Sequence, residues 1–488
     1  MSKKIVVVGA GLAGLTAAIY LRRSGFDVTL LEKHSIPGGM STSWKRKGYM
    51  FEGGIHWMTG SSDKTEAYTM WKDVGALDES VPIILKDPFH TLDYGSTSLF
   101  IYRDIDRTVE HLSEVSPADR SILKRLAKDV KAASCMQMPV FDIKGLKTKN
   151  PNRPSLGFLF RMLPAMPVML RLSKISCEDW GKKFKHEGIA RLFAFMPQQS
   201  PASNLIFTLA TLHMGDGGYP EGGSLPLTQR MAKTFSDLGG DLRYDAKVEK
   251  VMVEGGRATG VKLSDQTITS DAVIVTQETV AALDNLFEVP PSDSWLKEVY
   301  EFKHRSAVCT FISIGVNAIL PDMMMYEWKL ATPISYADRA EPYLNINSYP
   351  DYASDGCTAV TAYLGGDTYD YWKKAQDNGD YETYKQNLAE QVIRELCLKF
   401  PQCEGNVEVV DVATPLTYER YTGAYHGAWM TEMSVGDGMT QYPGKCESIL
   451  NLYFAGHRLM PPGGMPSAVA SGRMVAQYVC RDFDTEFV

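Results

Sequence analysis

The stretch IVVVGAGLAGLTAAIYLRRSGFDVTLLE, residues 5–32, decides the fold of this 488-residue chain. Its first four residues are β-branched and suit a strand buried on both faces, and a glycine-rich segment from Gly9 to Gly14 follows at once. Apolar residues then recur at helical spacing as far as Gly25, and a second apolar run ends at Glu32. The stretch therefore predicts a βαβ unit with two parallel strands.

The three spaced glycines each have a mechanical purpose. Gly9 makes the tight turn, Gly11 lets a pyrophosphate approach the backbone, and Gly14 lets the helix pack closely on the strand. The amino-terminal end of the helix then faces the phosphates. Glu32 ends the second strand, where a carboxylate accepts hydrogen bonds from a ribose 2′-hydroxyl and repels a 2′-phosphate. The pattern predicts a dinucleotide with a plain adenosine ribose.

A second glycine turn, Gly38-Gly39-Met40-Ser41, follows six residues after Glu32. It lies beside the first glycine loop in the predicted unit and offers further backbone contacts. Because FAD is an extended dinucleotide that needs such contacts, this turn favours FAD over NAD as the cofactor.

The composition excludes several classes of protein. The chain is 44% hydrophobic and 22% charged, which is typical of a globular protein and excludes disorder. The 51 Lys and Arg residues against 58 Asp and Glu residues give a net charge of −7, so no nucleic acid partner is expected. The eight cysteines form no CxxC pair and no cluster with histidine at metal-ligand spacing, so no metal site is expected. Since no apolar run of about 18 residues occurs, we expect a cytoplasmic protein that is either free in the cytosol or peripheral on a membrane surface.

Four segments together resemble one family. Together with the fingerprint in 9–39, they are similar to motifs of FAD-dependent phytoene desaturases, carotenoid isomerases and retinol saturases, and they occur in the same order. The four segments are GYMFEGGIHWMTG (48–60), the long segment 219–276, TPLTYERYTGAYHGA (414–428) and LYFAGHRLMPPGGMPSAVASGRMVA (452–476). These desaturases, isomerases and saturases are part of the flavin amine oxidoreductase superfamily.

The resemblance implies an α/β fold built from two interleaved parts. A Rossmann-like FAD-binding domain of the glutathione-reductase type, with a parallel sheet and an antiparallel crossover, is expected from 1–75, 215–290 and 410–488. An α+β substrate domain with a mixed sheet and helices is expected from 76–214 and 291–409.

The resemblance also implies which residues contact FAD. These are Gly9, Gly11, Leu12, Ala13, Gly14, Glu32, Lys33, Gly38, Gly39, Met40, Ser41, Val248, Gly456, His457, Gly464, Met465, Pro466 and Ala468. Val248 is expected on a strand with its backbone at the adenine, and an ordinary inward-facing strand residue is the alternative. His457 stands where the family usually has Asp, which puts one FAD contact in doubt.

Three residues are candidates for catalysis. His56 lies in a motif that the resemblance places beside the flavin ring, where a histidine suits a proton donor at neutral pH. Tyr425 and His426 are the second choice, in a glycine-flanked segment. Plain packing is the alternative for each. Glu52 is expected to hold the backbone near the flavin.

The expected function is FAD-dependent oxidation or reduction at carbon-carbon bonds of a hydrophobic polyene or isoprenoid, as a desaturase, saturase or cis-trans isomerase. A flavin amine oxidase and a non-enzymatic prenyl-binding protein of the GDP-dissociation-inhibitor type are the alternatives. No second dinucleotide fingerprint follows a strand, so quinone, oxygen, a redox partner and NAD(P)H all stay open as the electron donor or acceptor.

The middle of the chain is expected to hold the substrate. Residues 156–172, LGFLFRMLPAMPVMLRL, are Met-rich and broken by two prolines, which favours a helix pair at a membrane interface or lipid entrance, with a buried core helix as the alternative. Helical stretches are expected at 117–134 and 176–196. The acidic stretch 366–384 is expected to be a solvated loop and the start of a helix.

Overall fold

A computed structural model describes residues 2–149, 151–153, 156–438 and 440–488. The strands are β1 (Lys4–Val8), β2 (Asp27–Leu31), β3 (Ser43–Arg46), β4 (Tyr49–Glu52), β5 (Ile83–Ile84), β6 (His90–Tyr94), β7 (Thr97–Ile101), β8 (Tyr219–Pro220), β9 (Asp241–Arg243), β10 (Lys250–Glu254), β11 (Arg257–Lys262), β12 (Thr267–Thr269), β13 (Ala272–Val275), β14 (Ser306–Ala307), β15 (Cys309–Val316), β16 (Tyr326–Tyr336), β17 (Arg339–Tyr349), β18 (Thr358–Gly365), β19 (Val407–Ala413), β20 (Met430–Thr431) and β21 (Leu452–Phe454). The helices are α1 (Leu12–Arg23), α2 (Glu66–Asp73), α3 (Ile105–Val115), α4 (Arg120–Ala133), α5 (Leu156–Met162), α6 (Met166–Leu172), α7 (Cys177–Gly181), α8 (Glu187–Leu192), α9 (Ala202–His213), α10 (Ser224–Asp237), α11 (Thr279–Asn285), α12 (Ser294–Glu301), α13 (Tyr369–Asp377), α14 (Tyr381–Lys399), α15 (Pro415–Thr422) and α16 (Met465–Asp482).

A five-stranded parallel sheet holds the glycine loop, in the order β21-β13-β1-β2-β9. The predicted βαβ unit is confirmed as β1, α1 and β2, with Val7 paired to Leu30. Residues Ile5 to Val8 are buried on both faces, as β-branched residues in the centre of a parallel sheet must be. The sheet draws its strands from the start, the middle and the end of the chain.

A three-stranded antiparallel sheet, β10-β11-β12, lies in the chain between β9 and β13 of the parallel sheet. It is the antiparallel crossover that accompanies the parallel sheet in the predicted α/β fold. The prediction that Val248 lies on a strand is wrong. Val248 is buried in the irregular segment that precedes β10.

The second large sheet is a seven-stranded mixed sheet, in the order β19-β15-β18-β17-β16-β6-β7. Alternate residues point to opposite faces of these strands. Ile312, Val360 and the helix residue Leu396 belong to one apolar cluster, so α14 covers the face of the even-numbered residues of β15 and β18. The opposite face carries Phe311 and Tyr363 and faces a large cavity.

Two sequence-based predictions of local structure are correct only in part. The stretch 176–196 is two short helices, α7 and α8, because Ser176 and His186 each cap a helix start with a side chain that accepts a backbone N–H. The stretch 366–384 contains the start of α14, as predicted, but the rest of it is not simply a solvated loop, since α13 lies there and buries Trp372 completely. The division of the chain into five domain segments stays a prediction.

Within the described ranges, no helix has both the length and the apolar character needed to cross a membrane. The same residues contain no group of His, Cys, Asp and Glu side chains arranged to hold a metal ion.

Candidate FAD and substrate site

One cavity of about 2280 Å³ is lined by residues of both large sheets. Its wall contains most of the residues predicted to contact FAD: Gly9, Gly11, Leu12, Ala13, Glu32, Lys33, Gly38, Gly39, Met40, Ser41, Val248, Gly456, His457, Gly464, Met465, Pro466 and Ala468. Gly14 is absent from the wall because it faces the strand. Residues far apart in the sequence therefore meet around one space.

The glycine loop leaves room where a pyrophosphate is expected. Gly9 has a φ of +101°, a conformation that a residue with a side chain adopts only with strain. A Cβ on Gly14 would lie 1.9 Å from the carbonyl oxygen of Gly9. In contrast, a Cβ on Gly11 would meet only the carbonyl oxygen of Gly38, at 3.8 Å. Gly14 is thus required by packing, whereas Gly11 faces open space at the start of α1.

Glu32 is buried beside this loop. Its Oε2 accepts a hydrogen bond from the backbone N–H of Ala10 at 2.8 Å, and its Oε1 accepts one from His34 at 3.0 Å. Each carboxylate oxygen has a second acceptor site, so the fixed carboxylate can still accept a ribose hydroxyl. Burial lowers the pKa of the neighbouring Lys33, whose Nζ donates to the carbonyl of Arg420 at 3.2 Å.

Four polar atoms of wall residues are buried without a hydrogen-bond partner among the described residues, and two of the four belong to residues predicted to contact FAD. These two are Oγ of Ser41 and Nε2 of His457. Burial lowers the pKa of His457 to about 4, and the nearby Arg458 guanidinium adds to the effect, so this imidazole is neutral at neutral pH. Buried polar atoms are normally paired, so these two indicate a polar ligand in this part of the cavity.

The carboxyl-terminal part of the wall is a turn that leads into α16. Gly456 has a φ of +148°, and its N–H donates to Oγ of Ser471 at 3.0 Å. α16 begins at Met465 with Pro466 in its first turn, where the missing N–H costs no hydrogen bond. Together with the open loop and the two unpaired atoms, this end of the cavity fits FAD. When bound, FAD supplies the redox chemistry, and the protein supplies binding and orientation.

A buried ion pair fixes the loops around this end. Arg458 and Glu278 are paired, with their side chains only 3% and 5% exposed. Glu278 also accepts backbone hydrogen bonds from Val280 and Ala281 at the start of α11, and one from Tyr425 at 3.0 Å. Three segments of the cavity wall therefore depend on one carboxylate. Sequence reasoning did not identify either residue of the pair.

Glu52 holds the turn that carries His56. This carboxylate is fully buried and accepts hydrogen bonds from the N–H groups of Gly54 at 2.8 Å, Ile55 at 2.9 Å and Ser224 at 3.0 Å. Desolvation raises the pKa of Glu52, and these hydrogen bonds oppose the rise. The turn is fixed from two sides, because Ser224 begins α10 in a different part of the chain.

His56 lies in the cavity wall over the mixed sheet. Its Nδ1 is 2.9 Å from the hydroxyl oxygen of Tyr349 and 3.5 Å from Nδ2 of Asn347. The rings of Phe311 and Tyr363 flank it, with centroids 6.0 Å and 6.1 Å away. Burial lowers the pKa of His56 to about 4, so the imidazole is neutral at neutral pH. His56 therefore meets a ligand as a neutral imidazole and not as an imidazolium.

The other two catalytic candidates, Tyr425 and His426, differ in their relation to the cavity. Tyr425 lines the cavity, but His426 does not. The His426 ring is stacked between Tyr369 and Tyr425, with centroids 3.9 Å from each, and its φ of 54° belongs to the left-handed region. The arrangement places His426 as a packing residue between α13 and the cavity wall. Its catalytic role stays a prediction that the geometry does not favour.

The Met-rich stretch forms the helix pair α5 and α6. Only Val168 and Leu172 of the pair are buried, so the alternative of a buried core helix is wrong. Large apolar side chains are exposed on its outer surface: Leu156, Leu159, Phe160, Leu163, Met166 and Leu170. On the inner side, Phe158, Met162 and Met169 line the cavity.

Comparison with known proteins agrees with this geometry. The family profile of flavin containing amine oxidoreductases matches residues 12–480. The chain is 25% identical over 512 residues to prolycopene isomerase 1 of an Oncidium hybrid cultivar, a chloroplastic protein, covering 99% of this chain and 84% of that one. It is 26% identical over 517 residues to the lycopene-forming phytoene desaturase of Pseudescherichia vulneris, covering 98% and 99% of the two chains.

Solved structures show the same fold. An oxidoreductase from Methanosarcina mazei superposes with a TM-score of 0.61 at 17% identity, over 97% of this chain and 99% of that one. Putrescine oxidase superposes with a TM-score of 0.61 at 14% identity, over 98% and 99% of the chains. The predicted α/β fold and the predicted cofactor are confirmed. The chain belongs to the flavin containing amine oxidoreductases and is an FAD-dependent oxidoreductase.

Proposed function

We propose that this enzyme acts on carbon-carbon bonds of a long apolar polyene of the isoprenoid type, by desaturation, saturation or cis-trans isomerisation. The main support for this proposal is the length of the cavity beyond the residues predicted to contact FAD. Asn347, next to His56, and Glu341 both line the cavity and lie six residues apart on β17. At about 3.3 Å per residue this is roughly 20 Å, which suits an extended chain better than a small amine.

Much of the cavity wall is apolar. It contains methionine and aromatic side chains that adapt to an irregular ligand: Met136, Met138, Phe141, Phe158, Met162, Met169, Phe195, Met196 and Phe207. A hydrocarbon substrate leaves no polar group unpaired in such surroundings. The names of the relatives, prolycopene isomerase and phytoene desaturase, support the same substrate class.

Cis-trans isomerisation is the first reaction to test. Prolycopene isomerases match almost the whole chain, and the neutral His56 offers no ready proton for a net addition of hydrogen. Purified holoprotein is incubated without oxygen with prolycopene and with phytoene, once with the flavin reduced and once with the flavin oxidised, since desaturation needs an electron acceptor. Geometric change without mass change shows isomerisation, whereas gain or loss of two hydrogens shows saturation or desaturation. Unchanged polyenes together with oxidation of a primary amine would refute the proposal in favour of an amine oxidase.

We also propose that the outer surface of α5 and α6 lies in a membrane interface. Phe160 and Leu170 are 68% and 61% exposed, and Lys174, just beyond α6, is exposed as well. An apolar surface flanked by a cation is typical of helices that lie on membranes. Because the inner side of the same pair lines the cavity that also contains His56, a polyene dissolved in the bilayer can enter this cavity beside the pair.

A further inference from the structure

The hydrogen-bonding partners of Nδ1 of His56 determine which ring nitrogen carries the proton. A neutral histidine has one N–H and one acceptor nitrogen, and its neighbours select between the two tautomers. Asn347 and Tyr349, which both contact Nδ1, lie two residues apart and therefore on the same face of β17.

Asn347 can only donate to this nitrogen. Its Oδ1 accepts the backbone N–H of Met325 at 2.8 Å, which fixes the orientation of the amide. The Nδ2 group therefore faces Nδ1 of His56, at 3.5 Å. A proton on Nδ1 would point at an N–H donor, so this contact favours an unprotonated Nδ1.

Tyr349 also acts as a donor. Its ring is buried and stacks on Tyr352 with centroids 4.7 Å apart, and burial raises its pKa well above the ordinary value for tyrosine, so the hydroxyl stays protonated. Among the described residues, the Tyr349 hydroxyl has one hydrogen-bond partner, which is Nδ1 of His56. If the hydroxyl accepted a proton from Nδ1, its own O–H would be buried without an acceptor, which is unfavourable.

We propose that Tyr349 is a positioning residue that fixes His56 as the Nε2–H tautomer, so that the ring presents an N–H donor to the substrate in the cavity. Nε2 has no hydrogen-bond partner within the described part of the chain, and His56 lines the cavity. If a bound polyene accepts electron density from reduced flavin during isomerisation, a fixed N–H dipole would stabilise the resulting negative charge without release of a proton. The consequence for turnover rests on the proposed function, whereas the tautomer itself does not.

Nitrogen-15 NMR of holoprotein labelled at histidine tests the tautomer directly, with the His56 signals assigned by their loss in His56→Asn. The expected wild-type spectrum shows Nδ1 unprotonated and Nε2 protonated from pH 6 to 8. In Tyr349→Phe we expect a mixture of the two tautomers. In Asn347→Asp, where a carboxylate acceptor replaces the donor, we expect a shift towards Nδ1–H. Tyr352→Phe is the matched control, since it keeps the ring stack and has no contact with His56, and its tautomer should not change.

An Nδ1–H tautomer in the wild type, or identical His56 spectra in wild type, Tyr349→Phe and Asn347→Asp, would overturn the proposal. Flavin absorbance of each variant shows that the holoprotein has formed. With an active polyene, Tyr349→Phe should lower kcat roughly tenfold or more at little change in KM, whereas Tyr352→Phe should stay within about twofold. If no polyene reacts but the spectra are as expected, the proposed function fails while the role of Tyr349 stands.

Discussion

The carbonyl oxygen of Gly9 lies 1.9 Å from the position that a Cβ atom on Gly14 would occupy. These two glycines of the fingerprint therefore pack closely against each other. Gly11, between them, has open space above it. The same motif thus contains one glycine needed for folding and one needed for the cofactor.

Gly14→Ala and Gly11→Ala should accordingly fail in different ways. Gly14→Ala should destabilise the apoprotein, because the strand and helix must separate to admit the methyl group. Gly11→Ala should leave the apoprotein near wild-type stability and weaken FAD binding at least roughly tenfold, because its methyl group takes the space of the pyrophosphate. Chemical unfolding of the apoprotein and flavin fluorescence titration measure the two effects. Equal apoprotein stability in both variants would contradict this assignment.

Removing Arg458 should be strongly destabilising. Arg458→Met leaves the Glu278 carboxylate buried and unpaired, at a cost of about 3–5 kcal/mol in the free energy of unfolding. Lys233→Met breaks an exposed pair with Asp237 and should cost less than about 1 kcal/mol. Urea unfolding of both variants gives the comparison. A loss in Arg458→Met no larger than in the control would show that the buried pair is not needed.

Acid should destabilise the protein through its buried histidines. The pKa of His56 is lowered from 6.5 to about 4, so the unfolded chain binds a proton below pH 6.5 that the folded protein does not bind until about pH 4. The free energy of unfolding should therefore fall as the pH drops from 6.5 towards 4, by up to about 1.4 kcal/mol per pH unit for each such group. His457 behaves in the same way.

The variant His56→Asn should make this pH dependence shallower, since one of the two groups is gone. His304 is exposed, and His304→Asn should leave the slope as in the wild type. Urea unfolding at pH 7, 6 and 5 measures the slopes. A slope that is the same in all three proteins would mean that His56 takes up its proton in the folded state.

The membrane proposal predicts that the holoprotein floats with liposomes that contain anionic lipid. The double variant Phe160→Ser and Leu170→Ser should lose at least about tenfold in binding, because each buried apolar side chain contributes about 1.5–3 kcal/mol. Ile319→Ser, at a residue that is 72% exposed elsewhere on the molecule, is the control and should bind as the wild type does. Equal flotation of all variants, or none with the wild type, would contradict an interface at α5 and α6.

The βαβ unit could be predicted from the sequence because the residue patterns that indicate it are local. Strand, glycine turn, helix and second strand follow one another within 5–32, and each leaves its own periodicity. His56 was identified through its motif, but its partner Tyr349 is 293 positions away and nothing in the local pattern connects them. The pairing depends on the register of the mixed sheet, which the sequence does not show.

Two local errors have physical causes. Acidic residues in 366–384 suggested full exposure, but a helix needs only one apolar face, and Trp372 provides it. In 176–196, the helical pattern continued across His186, whose side chain accepts the N–H of Ile189 and so begins a new helix. A helix start capped by a histidine side chain is difficult to predict, since histidine is not among the usual capping residues.

The parallel sheet takes β21, at Leu452–Phe454, from near the end of the chain, and the last residues contact the first helix. Phe487 stacks on Tyr20 with centroids 5.2 Å apart, and the N–H of Val488 donates to Oγ of Ser24 at 3.2 Å. During synthesis on the ribosome, β13 consequently waits with one unpaired edge until the final strand emerges. Because Gly456 and Ala468 line the cavity, the predicted FAD site is complete only after this part of the chain has been synthesised, and until then one edge of an apolar sheet is unpaired.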